Sequence, residues 1–218
     1  METVFLFILM SMNTPFFFFL FLSVFTAGLT FADRGISSKV EFKIAFGSCG
    51  KQAYPLPIFH EVIKQNPNLF IFLGDNIYGD TNDMDILHKK YQQLGTKESY
   101  QHLIENTEVL ATWDDHDYGQ NDAGKHYPHK VESKEIFLEF FKEPKSSERY
   151  KHKGIYHSVY KKAGNKIIQI ILLDNRTFRD DLVRFPKGRK IPGRFFYRPD
   201  YLPHTDDSKA FLGEEQWS

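Results

Sequence analysis

Apolar and charged residues alternate from Val40 to Phe46, with Val40, Phe42 and Ile44 set against Glu41 and Lys43. That period of two predicts a strand. Pro57 then opens a stretch in which Ile58 and Val62, and Phe59 and Ile63, recur four residues apart. This predicts a helix, ended by Asn66-Pro67-Asn68. Leu69 to Leu73 is an unbroken apolar run, the mark of a strand buried on both faces. Strand, helix and buried strand together predict a βαβ unit with a parallel sheet. Such sheets gather ligands at the carboxyl ends of their strands. Cys49 and Asp75, each just past a strand, are therefore expected to be neighbours.

Ile86 to Leu94 and Lys97 to Asn106 read as partly polar helices that cover the surface. Glu108 to Trp113 is a third short strand that runs straight into acidic residues. Asp114 to Lys130 has no periodicity and holds three His, four acidic side chains and two Gly, so it reads as a functional or mobile loop. Lys134 to Phe141 predicts a short amphipathic helix. Ile155 to Tyr160 and Lys166 to Leu173 read as strands of a hairpin turning through Gly164-Asn165. Arg179 to Ser208, basic and proline-containing, is expected to be irregular.

Composition narrows the picture. A chain of 218 residues fits one domain with a real core. Its 28 basic side chains balance 28 acidic ones, so no global field draws it to nucleic acid. The single cysteine, Cys49, rules out an intramolecular disulfide. Residues 1–32 differ from the rest: two apolar blocks, no base before Arg34, and Thr30-Phe31-Ala32 as a small-residue cleavage site. They read as a signal peptide, leaving 33–218 as the domain and a secreted or secretory-lumen location. If uncleaved, the same segment is an anchor, the one case in which a membrane partner is expected.

Hydrolysing a phosphate ester near neutral pH needs a strong nucleophile and neutralisation of developing charge. Two nearby metal ions meet both needs, with a hydroxide between them attacking in line. A side chain shared by two cations must be a carboxylate, and the tip of a buried strand holds it rigidly. Asp75 meets that condition, with Gly74 permitting the tight turn. Gly-Asp is also an ordinary turn pair, so its companions matter. Tyr78 follows at i+3, within reach of the same metal, and Cys49 can offer a thiolate. Asp114-Asp115-His116-Asp117 crowds three carboxylates and an imidazole at the same sheet edge, where like charges repel unless a cation sits among them.

Four ordered strings carry a more specific likeness: Phe46-Gly47-Ser48-Cys49, Phe72-Leu73-Gly74-Asp75-Asn76-Ile77-Tyr78, Thr112-Trp113-Asp114-Asp115-His116-Asp117 and Leu173-Asp174-Asn175-Arg176-Thr177-Phe178-Arg179. This series resembles the alkaline phosphatase D family, and with it a variant of the calcineurin-like metallophosphatase pattern. The spacing of Asp75 and Tyr78 is similar to that of purple acid phosphatases. The resemblance implies an α/β fold, a metallophosphatase-like αββα sandwich, here with its carboxy-terminal part missing. It implies hydrolysis of a small-molecule phosphate mono- or diester with Fe3+ and Ca2+ as cofactors. Carried over residue by residue, Asp75 would bridge the metals, Cys49 and Tyr78 would hold iron, and Asp115 would hold calcium. His116 would hydrogen-bond the phosphate or the leaving oxygen, and Asn76 and Arg176 would bind the substrate. Tyr91 competes with Tyr78 as the iron ligand, and Asp174 either ligates or orients Arg176; the sequence does not choose.

The chain also departs from the pattern. Later histidines on a Gly-x-x-His turn are expected, yet after Arg179 there is only His204. Leu212 to Ser218 reads as the opening of a helix, so an amino-terminal portion of a longer enzyme is expected. The alternative is a non-catalytic fragment that keeps metal or phosphate affinity. A calcium-binding adhesive module is a third reading, and it leaves Cys49 and Arg176 unexplained. The sequon Asn175-Arg176-Thr177 falls inside the expected site and should be unmodified.

Overall fold

The apolar run Leu69–Leu73 is the middle strand (β2) of a parallel sheet, flanked by β1 (Ile44–Gly47) and β3 (Glu108–Thr112). The computed structural model describes residues 42–185 and 201–217, so the leader and the start of the first expected strand lie outside the described residues. The register pairs Gly47 with Phe72 and Leu73 with Thr112, which brings the three carboxyl ends to one edge.

The two faces of β2 explain its unbroken apolarity. Phe70 and Phe72 face a helical layer, while Leu69 and Ile71 face a second β layer. Helices α1 (Ile58–Lys64), α2 (Met84–Gly95), α3 (Glu98–Asn106) and α5 (Lys130–Phe140) supply the first layer. Phe59, Leu87, Tyr91, Leu94, Leu103 and Phe137 are almost wholly buried there. Each such side chain contributes about 1.5–3 kcal/mol of burial. Asp83 caps α2, its Oδ1 accepting from the N–H groups of Asp85 and Ile86.

The second layer is the antiparallel hairpin β4 (His157–Ala163) and β5 (Lys166–Leu172), whose Ile170 and Leu172 pack on Leu69 and Ile71. Its outward residues Tyr160, Ile167 and Ile171 are exposed. The architecture is α/β, with helices, a parallel sheet and a second β layer stacked in that order. No helix among the described residues is long and apolar enough to cross a membrane.

Several boundaries differ from expectation for local reasons. The segment after β3 is not wholly loop, since Asp115–Tyr118 forms one helical turn, α4, held by a capping box between Asp114 and Asp117. Helix α5 begins at Lys130, four residues before its apolar signal, and buries the polar Ser133 and Lys134. Helix α6 (Glu148–Lys151) is too short to show a period. The strand expected from Ile155 begins at His157, because the Ile155 N–H is taken by Asp174. The region after Arg179 includes a two-residue ladder of β6 (Val183–Arg184) with β7 (Tyr201–Leu202). The expected terminal helix opening is a 3-10 turn, Glu214–Gln216.

Candidate metal centre

Because the parallel strands end together, the turns after them meet. The Cys49 N–H donates to Gly74 O at 3.3 Å and the Gly50 N–H to Asp75 O at 2.9 Å, so the first two turns are tied backbone to backbone. Cys49 Sγ then lies 3.6 Å from Asp75 Oδ2, the adjacency that the βαβ connectivity implies. Both residues have left-handed backbones, with φ of 61° and 50°. A non-glycine residue held there costs about 1–3 kcal/mol, and such strain clusters at functional turns. Gly74 has no substitute: at φ 109° an added Cβ would sit 2.7 Å from both the Cβ and the amide nitrogen of Asp114.

Around Asp75 the acidic groups converge. Asp75, Asp115 and His116 each offer a ligand atom, and these atoms lie within 4.8 Å of one another. Asp75 Oδ1 is buried and has no hydrogen-bond partner. Burial pushes the Asp75 carboxyl up; His116 pulls it down, and Asp115 and Asp114 push it up further. Two carboxylates and an imidazole, with an orphaned buried oxygen among them, form a donor set that fits a metal ion.

The remaining candidates fall into distinct places. Tyr78 lies over His116, ring centroids 4.2 Å apart. Its phenol is pushed up to about 12 by burial and by the nearby Cys49 and Asp75. Gln52 and Lys90 anchor the Tyr78 backbone carbonyl and the Gln52 carbonyl accepts the Tyr78 N–H. Tyr91, the other tyrosine considered for iron, is fully buried in the helical layer and its hydroxyl meets Asp117 Oδ1 at 3.4 Å. Asn76 is buried, its amide donating to Thr112 O at 2.9 Å, so it pins the turn to β3. Arg176 is brought to the cluster: its Nε donates to Asp114 Oδ1 at 2.5 Å, and Nη2 lies 3.5 Å from Asp115 Oδ1.

Asp174 is a structural hub. Its two oxygens accept from Trp113 Nε1, the N–H groups of Ile155, Arg176 and Thr177, and Thr177 Oγ1, at 2.7–2.9 Å. A carboxylate so occupied orients Arg176 through its backbone and has no lone pair left for a metal. Within the sequon, Thr177 is buried and the half-buried Asn175 donates its amide to Asp114 Oδ1 at 3.1 Å.

The solved structure described as "Structure of PhoD" matches this chain with a TM-score of 0.59 and 18% identity, over 80% of its length. The fold is PhoD-like. The chain spans 37% of the length of that PhoD chain. No family model matches the sequence, and no curated protein matches it.

Within this PhoD-like frame the structure adds Asp80, which the sequence reading did not single out, and gives Asp117 of the acidic run a definite place. Asp80 Oδ1 lies 2.6 Å from His116 Nδ1. Burial lowers the imidazole, but the hydrogen bond and charge of Asp80 outweigh it, so His116 is held above its usual value. Asp117, wholly buried, accepts from the N–H groups of Asn76, Ile77 and Asp114 and is pushed up by burial to about 7. Its signal in the sequence is the i+3 spacing from Asp114 that makes a capping box. Asp80 has no comparable signal, since it meets His116 only across the fold.

Proposed function

We propose that this chain carries part of a metal-dependent phosphoesterase site, one that hydrolyses small phosphate mono- or diesters. The observation that carries the reading is the convergence of Asp75, Asp115 and His116, with Asp75 Oδ1 buried and unpartnered. The ordered motifs that resemble alkaline phosphatase D supply the reaction class. Asp75 and Asp115 would hold the cation, with Cys49 and Tyr78 beside Asp75 as further ligands. Fe3+ and Ca2+ are the metals the resemblance proposes. A bound cation supplies charge neutralisation and a nucleophile of lowered pKa.

The chain's own residues do the rest. Arg176, parked on Asp114, is a fork that suits a phosphate arriving at the cluster. His116 is oriented by Asp80 through Nδ1, which leaves Nε2 to protonate the leaving oxygen as the bond from phosphorus breaks. Asn76 acts from beneath, keeping the turn on β3. The leader segment adds the proposal that this chemistry takes place in the secretory lumen or outside the cell.

The 37% span of the PhoD chain favours a second reading, in which these 218 residues bind metal or phosphate without turnover. Chromogenic mono- and diesters decide between them. The first reading expects metal-dependent release that chelation removes and Asp75→Asn lowers about a hundredfold or more. Metal binding with no release selects the second, and release that ignores chelators removes the metal account.

A further inference from the structure

We infer that a cavity separate from the metal centre, lined by Lys130, Lys134, Tyr150 and Phe178, binds a small organic anion. Its volume is about 700 Å³, within the roughly 300–1,000 Å³ typical of small-molecule sites. None of Cys49, Asp75, Tyr78, Asp115 and His116 lines it.

Charge is the first argument. Lys134 is 8% exposed, and its ammonium donates to a neutral group, the His152 carbonyl. Asp174 and Glu135, the latter also on the cavity lining, act on it from beyond ion-pair distance. Lys130 likewise donates to a carbonyl, that of Lys125, at 2.6 Å. Neither lysine has a carboxylate partner among the described residues, whereas Lys125 and Lys153 at the same cavity are paired with Asp180 and Glu215. A buried ammonium without a counter-charge is costly, and an anion in the cavity would provide one.

Polarity is the second. The Tyr150 hydroxyl is buried, and Lys145 is its cationic neighbour, lying over the ring at 4.5 Å and hydrogen-bonding the side chain. A hydroxyl and two ammonium groups on one cavity lining offer donors to an oxyanion. Val131 and Phe178 on the lining suit an apolar body rather than a bare inorganic ion. The class is thus a carboxylate or phosphate on a small apolar or aromatic frame.

Benzoate is a suitable probe, with benzamide as its neutral match, each titrated against the full chain by ligand-observed NMR. The expected result is benzoate binding at least tenfold tighter than benzamide. Lys130→Met should weaken it at least fivefold, Tyr150→Phe about threefold, and Asp75→Asn should leave it unchanged. Lys134→Met should weaken it most where circular dichroism shows the fold retained; if that variant fails to fold, Lys130→Met and Tyr150→Phe decide. Absent benzoate binding, equal binding of benzamide, or indifference to Lys130→Met would overturn the proposal. Loss of binding in Asp75→Asn would instead move the ligand to the metal centre. Since benzoate is not an ester of phosphoric acid, the outcome is independent of the hydrolase reading.

Discussion

Asp75 and Asp174 follow β2 and β5; Asp174 is fully buried and Asp75 half-buried with one oxygen shielded, and the surroundings of one are the inverse of the other. Asp174 receives five hydrogen bonds and joins Trp113, Ile155 and the Arg176-Thr177 turn into one unit. Asp75 receives one long bond from Cys49, keeps an unpartnered oxygen and faces two further carboxylates. Buried carboxylates are ordinarily satisfied. A saturated one stabilises the fold, while an unsatisfied one on a strained turn stores a cost that a cation would relieve.

The comparison can be broken most forcefully by truncation. Asp174→Ala strands five buried donors and should cost about 3–5 kcal/mol in urea unfolding. Asp75→Asn in metal-free protein should cost nothing, or stabilise by about 0–1 kcal/mol, because it removes a like charge. Equal losses from the two substitutions would erase the distinction.

Asp117 sharpens it through pH. Burial holds this carboxyl near 7 against an ordinary 3.8, so the folded state favours the protonated form. Its contribution is full below the unfolded value and lost as pH rises through about 7. Metal-free protein should therefore lose stability between those limits, and Asp117→Asn should flatten that slope in pH-dependent urea midpoints. An unchanged slope would assign it to other groups.

The smallest effect concerns orientation. Asp80→Asn removes the charge on His116 Nδ1 and should move the imidazole titration downward, as read by NMR. A titration that stays in place would show that Asp80 does not set the imidazole's protonation.

What was legible in the sequence follows from what kind of signal each feature leaves. The parallel sheet was readable because β2 is apolar on both faces and its turns carry Gly74-Asp75 and Cys49. The meeting of Cys49 with Asp75 followed from connectivity alone. By contrast, Tyr78 and Tyr91 look alike in one dimension, and only the burial of Tyr91 on the inner face of α2 separates them. The role of Asp174 depends on donors drawn from the residue after β3, the segment before β4 and its own turn, which no local pattern announces. Arg176 on Asp114, and Asp80 on His116, are contacts across 62 and 36 residues, and long-range pairs of this kind leave no period to read.

The central claim is that Asp75 and Asp115, with His116 beside them, form a cation site. Calorimetric titration of the chelated, then dialysed, chain with Ca2+, alongside metal analysis after exposure to iron, tests it most directly. The account predicts binding of at least one equivalent, weakened tenfold or more by Asp75→Asn and by Asp115→Asn. Wild-type protein that takes up no metal, or an Asp75→Asn variant that binds as tightly as wild type, would contradict it.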